Sequence, residues 1–148
     1  MQKCTLALGC FWKPEENFKN KPGIIETEVG YAGGIKPKVT YEEVCNGDTG
    51  HAEVVRLTFD EKIISFKKII DLFFKMHDPT QKDMQFPDIG TQYRSEIFYE
   101  TSEQKIEAEN ILKEFNKVLQ GKIQTNISKI KNYCKAEEYH QKYIEKKR

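Results

Sequence analysis

Apolar positions recur along this chain at two different periods, and the changes of period divide it into elements. CTLALG, residues 4–9, is a short apolar run that predicts a buried strand, and residues 11–19 predict a helix opening directly behind it, with a sharp turn at Gly9. Ile25, Thr27, Val29 and Tyr31 alternate with Glu26 and Glu28, the pattern of a half-buried strand that stops at Gly33-Gly34. Residues 35–51 read as a loop with one helical turn at 41–44. A second alternating strand covers 52–59, and in SFKKIIDLFFKMH the residues Phe66, Ile69, Ile70 and Phe73 return at helical spacing. After a loop containing Pro79, Pro87 and Gly90, residues 92–99 predict another strand. Thr101 and Gln104 then form a capping box for a long helix whose Ala108, Ile111, Leu112 and Phe115 make one face, ended by Gly121. A weaker strand is expected over 123–130, and the polar AEEYHQKYIEKKR predicts a C-terminal helix.

The order strand, helix, strand, strand, helix, strand predicts an α+β fold, a ferredoxin-like split βαβ two-layer sandwich with a C-terminal strand and helix added. A chain of 148 residues suits a single catalytic domain, 1–148. Lys and Arg number 24 against 23 Asp and Glu, so the broad positive field of a nucleic-acid or anionic-membrane binder is missing. No apolar run approaches the roughly 20 residues of a membrane helix. The start MQKCTLALGC superficially resembles a lipoprotein leader, but Lys13, Glu15 and Glu16 follow at once, so a cytoplasmic protein is expected.

The cysteines, Cys4, Cys10, Cys45 and Cys134, are too few and too scattered for a disulfide framework, and no close pairs of ligands suggest a metal site. Cys10 differs from the others in its placement at the first turn of a helix. There the unpaired N–H groups favour a thiolate, so its pKa is expected to fall. Phe11 and the only tryptophan, Trp12, adjoin it and could form a pocket for a small apolar group such as a methyl on sulfur. Glu53 shares a strand face with Val55, Leu57 and Phe59, so its carboxyl is expected to be desolvated, raised in pKa and able to act as a general acid, unless it bends out to solvent. His51 reads as a turn residue, with a base for Cys10 as the alternative. Tyr41, Tyr93 and Asp88 lie in or beside loops, where only a common site would connect them.

GCFW at 9–12, TYEEVCNGDTGHAEVV at 40–55, GTQYRSEIFY at 90–99 and AEEYHQKY at 136–143 together closely resemble the peptide methionine sulfoxide reductase A family, in order and across almost the whole chain. The resemblance implies reduction of methionine S-sulfoxide, free or in proteins, through a cysteine sulfenic acid. By the same resemblance Cys10 is the nucleophile, Phe11 and Trp12 hold the substrate methyl, Glu53 donates a proton, Tyr41 and Tyr93 hydrogen-bond the sulfoxide oxygen, and Asp88 helps bind substrate. No metal or bound cofactor is implied. The reductant is an external thiol, thioredoxin, glutaredoxin or glutathione. Many members of that family carry a glycine-rich C-terminal tail with a recycling cysteine, whereas this sequence runs to Lys146, Lys147 and Arg148 without one. A disulfide needs Cα atoms within roughly 7 Å, and Cys4 lies about 20 Å back along an extended strand, so it is excluded as resolving thiol. Cys134, read as a mobile loop residue, ranks first, an external thiol second, and Cys45, read as packed and inert, third. Two rival readings are a cysteine hydrolase using Cys10 with His51, and a non-enzymatic module binding apolar peptides through Phe11 and Trp12.

Overall fold

The computed structural model describes all 148 residues. In chain order its elements are β1 (Gln2–Leu8), α1 (Trp12–Phe18), β2 (Ile24–Ala32), α2 (Tyr41–Cys45), β3 (Ala52–Phe59), α3 (Phe66–Met76), β4 (Met84–Gln85), β5 (Asp88–Ile89), β6 (Ser95–Tyr99), α4 (Ser102–Val118), β7 (Asn126–Lys129), β8 (Cys134–Lys135) and α5 (Tyr143–Lys147). Six strands form one mixed sheet in the order β7-β6-β1-β3-β2-β8, and β4 pairs with β5 in a separate small hairpin. All neighbours in the sheet run antiparallel except β6 and β7, which are parallel. The fold is therefore α+β, as the alternation of the two periods predicts.

Alternation places Cys4, Leu6 and Leu8 of β1, Val29 and Tyr31 of β2, and Val55, Leu57 and Phe59 of β3 on one face of the sheet. They pack there with Phe18, Ile69, Ile70, Phe73, Ala108 and Ile111 from α1, α3 and α4. The opposite face is thinner, with Ala7, Ala32, Ala52, Val54 and Phe98 under Ile130 and Tyr133. No helix is long and apolar enough to cross a membrane.

Several elements differ from the sequence expectation. Ile25 does not join the buried face: the register moves from Ile24↔Phe59 to Glu26↔Thr58, so Ile25 is the extra residue of a bulge and is exposed. Gln92 and Tyr93 lie in a 3₁₀ turn, Thr91–Tyr93, ahead of β6 rather than in the strand. The Thr101 hydroxyl accepts the Gln104 N–H at 3.1 Å as predicted, but the Gln104 side chain accepts from Glu100 N–H instead of closing the box. A complete capping box is found at Thr40 and Glu43, opening α2. Cys134 is not in a loop but in β8, opposite Tyr31 at the sheet edge. The expected C-terminal helix is broken into a 3₁₀ turn, Glu138–His140, and the short α5, for reasons that lie in the candidate site.

His77, just past α3, gives the fold a sensitivity to acid. Its Nδ1 lies 2.7 Å from the Phe73 carbonyl and its Nε2 2.7 Å from the Ser95 hydroxyl, which in turn meets the Thr125 hydroxyl at 2.8 Å. A ring that donates at Nδ1 and accepts at Nε2 is neutral. Burial holds its pKa down at about 4. Above the ordinary histidine pKa of 6.5 this arrangement is without penalty, and stability is lost as pH falls from there through about 4, on the order of 2 to 3 kcal/mol. Chemical unfolding of wild type and His77→Gln at pH 7 and pH 5 should show a distinctly smaller loss in the variant; equal losses would assign the acid sensitivity to other groups.

Candidate active site

The site is built at the corner between β1 and α1. Gly9 makes the turn with φ +97°, and a Cβ there would come within 3.0 Å of the Gln85 side chain, so the corner needs glycine both for its backbone and for the close approach of the β4 strand. Cys10 follows, half-buried, one residue ahead of the helix N-cap Phe11. Its thiol is not acidified. Burial pushes it up to about 12; the Trp12 backbone N–H pulls in the opposite direction, and the charges of Glu53, Asp88 and Cys45 add to the rise. The expected fall in pKa is thus overturned. A helix of seven residues, starting two positions beyond the sulfur, offers too weak a dipole to offset desolvation among nearby carboxyls.

Glu53 is where the strand alternation predicts it, on the core face of β3 and 2% exposed. Its Oε1 accepts the Phe11 N–H at 3.2 Å, which ties the carboxyl to the peptide next to the thiol. Burial raises its pKa to about 8, against the Phe11 N–H and with help from Asp88. Tyr41, the first residue of α2, and Tyr93, in the 3₁₀ turn, both have hydroxyls pushed well above the ordinary phenol range, by burial first and with Glu53 among the charges acting on each. Asp88, half-buried on the β4–β5 hairpin, acts electrostatically on Cys10, Glu53 and Tyr93. Five elements, the β1–α1 corner, α2, β3, the β4–β5 hairpin and the 3₁₀ turn, thus bring Cys10, Tyr41, Glu53, Asp88 and Tyr93 to one place.

The two aromatics behave differently from each other. Phe11 is buried between Tyr31 and His140, with ring centroids 5.7 and 5.1 Å away. Trp12 is half-buried and held on two sides: its indole N–H donates to His140 Nδ1 at 3.1 Å, and its ring stacks on Tyr143 at 3.8 Å and 11°.

That support comes from the C-terminal segment, whose contribution the polar pattern concealed. Gln141 is buried and pairs with the Val29 backbone like a strand residue, accepting its N–H at 2.9 Å and donating to its carbonyl at 2.8 Å. Lys142 then turns in the left-handed region, φ 51°, and its N–H donates to Glu15 Oε1 at 2.7 Å; the other Glu15 oxygen accepts the Thr27 hydroxyl at 2.8 Å. A continuous helix could not make these contacts, which is why residues 136–148 do not form one. Glu137 accepts hydrogen bonds from Tyr31 and from the Tyr41 backbone. The AEEYHQKY motif was the available signal, but its residues are polar and so resemble a solvated helix.

Of the other sequence candidates, His51, Cys4 and Cys134 are held in surroundings of their own, whereas Cys45 lies near Cys10. His51 is buried with its Nε2 3.2 Å from the Asn132 carbonyl, and a Cβ on Gly34 would lie 2.0 Å from its Nδ1, so its ring fills the gap beside that loop and is not a base for Cys10. Cys4 is fully buried with its thiol pushed up, above all by burial. Cys134 directs its Sγ to the Val39 carbonyl at 3.6 Å. Cys45, expected to be packed, is exposed at the end of α2 and lies near enough to Cys10, Tyr41 and Tyr93 to interact with each.

Residues 2–148 match the family described as peptide methionine sulfoxide reductase. The chain is 56% identical over 147 residues to the peptide methionine sulfoxide reductase MsrA of Pelagibacter ubique (strain HTCC1062), covering 99% of this chain and all of that protein. Its fold is similar to that of methionine sulfoxide reductase A of Corynebacterium diphtheriae, with a TM-score of 0.94, 35% identity and coverage of 98% of this chain and 74% of that one. It is also similar to Mxr1 from Saccharomyces cerevisiae in complex with Trx2, with a TM-score of 0.67, 27% identity and coverage of 96% and 84%. A family match over residues 2–148 and 56% identity across the whole length of a curated relative show that the chain belongs to the peptide methionine sulfoxide reductase family and reduces methionine sulfoxide to methionine.

Proposed function

We propose that Cys10 and Glu53 carry this reaction as a pair on the S epimer of methionine sulfoxide, and the observation on which the reading rests is the carboxyl with a pKa near 8 tied to the peptide next to the thiol. The sulfoxide oxygen lies toward Tyr41, Tyr93 and Glu53, three groups that are protonated at neutral pH and can donate hydrogen bonds. The methyl group enters the apolar space beside Phe11 and Trp12, and Asp88 helps hold the substrate from the hairpin. Glu53 passes its proton to the oxygen, which makes the sulfur electrophilic. The carboxylate so formed then receives the proton of the Cys10 thiol as its sulfur attacks. The attack forms an S–S bond to the substrate sulfur, which still carries the hydroxyl. Transfer of that hydroxyl to the Cys10 sulfur breaks the S–O bond, and the S–S bond breaks with its electron pair returning to the substrate. Methionine thus leaves with its thioether restored, and Cys10 is left as a sulfenic acid. A raised thiol pKa suits this exchange, because the thiol stays protonated until a substrate draws the Glu53 proton away.

The sulfenic acid is cleared by a second thiol, with loss of water and formation of a disulfide, and an external dithiol then restores both cysteines. Thioredoxin is the proposed reductant, by analogy with the Mxr1 complex with Trx2; glutaredoxin or glutathione would serve the same chemistry. Cys45 gains support as the internal thiol because it is exposed and lies near enough to Cys10 to interact with it. Cys134 can take that role only if β8 first detaches from β2. Thioredoxin-supported turnover should fall at least tenfold in Cys45→Ser while one methionine per enzyme is still formed without reductant. Full loss of turnover in Cys134→Ser instead would restore the C-terminal thiol as the resolving one. We further assign the central strands, in the order β6-β1-β3-β2 with every neighbour antiparallel, to a ferredoxin-like split βαβ sandwich acting as a single catalytic domain. A cytoplasmic protein repairing oxidised methionine in proteins and as the free amino acid fits this chemistry.

A further inference from the structure

Glu137 is a half-buried carboxylate that the reaction scheme leaves without a role. It stands in the C-terminal segment just before the 3₁₀ turn, and each of its oxygens has a different partner. Oε1 accepts the Tyr31 hydroxyl at 2.7 Å, and Oε2 accepts the backbone N–H of Tyr41 at 2.8 Å. Burial tends to raise its pKa, but the hydrogen bonds from the Tyr41 N–H, its own N–H and the Tyr31 hydroxyl outweigh this and hold it below the ordinary glutamate range. It is therefore ionised where Glu53 is protonated. Both of its oxygens are engaged, so its reach toward the reacting groups runs through Tyr31 and Tyr41.

Tyr41 is the residue it holds. α2 is a single turn of five residues, too short to be stable by itself, and its position depends on its attachments. Val44 is its one fully buried side chain. The Lys36–Glu43 ion pair is exposed and worth little. The Gln92 amide reaches the Cys45 carbonyl only at 3.4 Å. The short charge-assisted bond from Tyr41 N–H to Glu137 is thus the strongest polar tie at the end of α2 that faces the site. Glu137 is itself well fixed. Ala136 N–H donates to the Val29 carbonyl at 3.0 Å on one side, and Gln141 and the Lys142 N–H bond to Glu15 anchor the segment on the other. Tyr31, its second partner, is fully buried and lies opposite Glu53 in the β2–β3 register.

We propose that Glu137 is a positioning residue for Tyr41: its carboxylate fixes the first turn of α2 against the sheet and so sets the Tyr41 hydroxyl where the sulfoxide oxygen binds. The proposal rests on the reading of Tyr41 as an oxygen-binding residue. Misplacing a reacting or hydrogen-bonding group by about 1 Å can cost on the order of a hundredfold in rate. A carboxylate acting only through Tyr41 should lose its effect once the Tyr41 hydroxyl is gone.

The test is a double-mutant cycle on kcat/KM for a methionine-sulfoxide peptide, with dithiothreitol as reductant, using wild type, Tyr41→Phe, Glu137→Ala and the double variant. Glu137→Ala is expected to lower kcat/KM by about ten- to a hundredfold in the wild-type background and by less than about threefold in Tyr41→Phe. Glu137→Gln, which keeps an amide oxygen to accept the Tyr41 N–H, should recover most of the loss; Glu137→Asn, one methylene too short to reach that N–H, runs the same cycle if the alanine variant does not fold. An equal loss in both backgrounds would overturn the proposal and make Glu137 a general structural anchor. Wild-type activity in Tyr41→Phe alone, visible before any Glu137 variant is made, would instead remove the role of Tyr41 and the proposal with it.

Discussion

Replacing Glu53 by glutamine should reduce the rate of methionine formation by about 10² to 10⁴-fold while leaving the protein folded, the range a general acid typically contributes. The amide matches the carboxyl in shape, and its oxygen can still accept the Phe11 N–H, so only the transferable proton is lost. The pH dependence has a definite sign. With a pKa near 8, the wild-type carboxyl is protonated at neutral pH, and its rate should decline as pH rises through 8 and Glu53 ionises. The residual activity of Glu53→Gln should lack that alkaline limb. Persistence of the same limb in the variant would assign it to another group. The substitution should act on stability in the opposite sense from its effect on rate. A carboxyl raised from 4.5 to about 8 on folding contributes stability that is fully present below 4.5 and lost as pH rises through 8. Removing it should therefore stabilise the protein at pH 8 and above, by up to about 4 kcal/mol, measured by denaturant unfolding of both proteins across pH. An acid kept in its buried position at the expense of stability is the pattern expected of a functional group.

Cys10→Ser should abolish methionine formation altogether, including the single turnover without reductant. A serine hydroxyl is a far weaker nucleophile toward sulfur and has no sulfenic acid to form, so oxygen transfer from the sulfoxide has no acceptor. Release of one methionine per enzyme from this variant would exclude Cys10 as the nucleophile. The raised thiol adds a second, independent measurement. With its pKa at about 12, Cys10 carries almost no thiolate at pH 7.5, and alkylation by iodoacetamide should label the exposed Cys45 well before Cys10. Labelling of Cys10 first would mean that the thiol is acidic in the free enzyme, and that the proton exchange with Glu53 is unnecessary.

Much of the fold can be read from the order of residues, because whether side chains alternate or recur at helical spacing depends only on neighbours in sequence. The face of β3 that carries Glu53, Val55, Leu57 and Phe59 is one such case, and the apolar stripe of α3 is another. The strand-to-helix corner at Gly9 and Cys10 is similarly local, since a positive φ calls for glycine whatever packs around it. Protonation is not local. The sequence context suggests an acidic Cys10, but its pKa is set by what buries it and by Glu53 and Asp88, which arrive from β3 and from a hairpin of two two-residue strands with no clear sequence pattern. Nor could the polar stretch 136–143 disclose that Gln141 would be buried against Val29, that His140 would hold the Trp12 indole, or that Glu137 would reach both Tyr31 and Tyr41. A polar side chain is compatible with burial only where partners from elsewhere satisfy its hydrogen bonds, and those partners, more than 90 residues away in the chain for all three, are brought together by the tertiary structure alone.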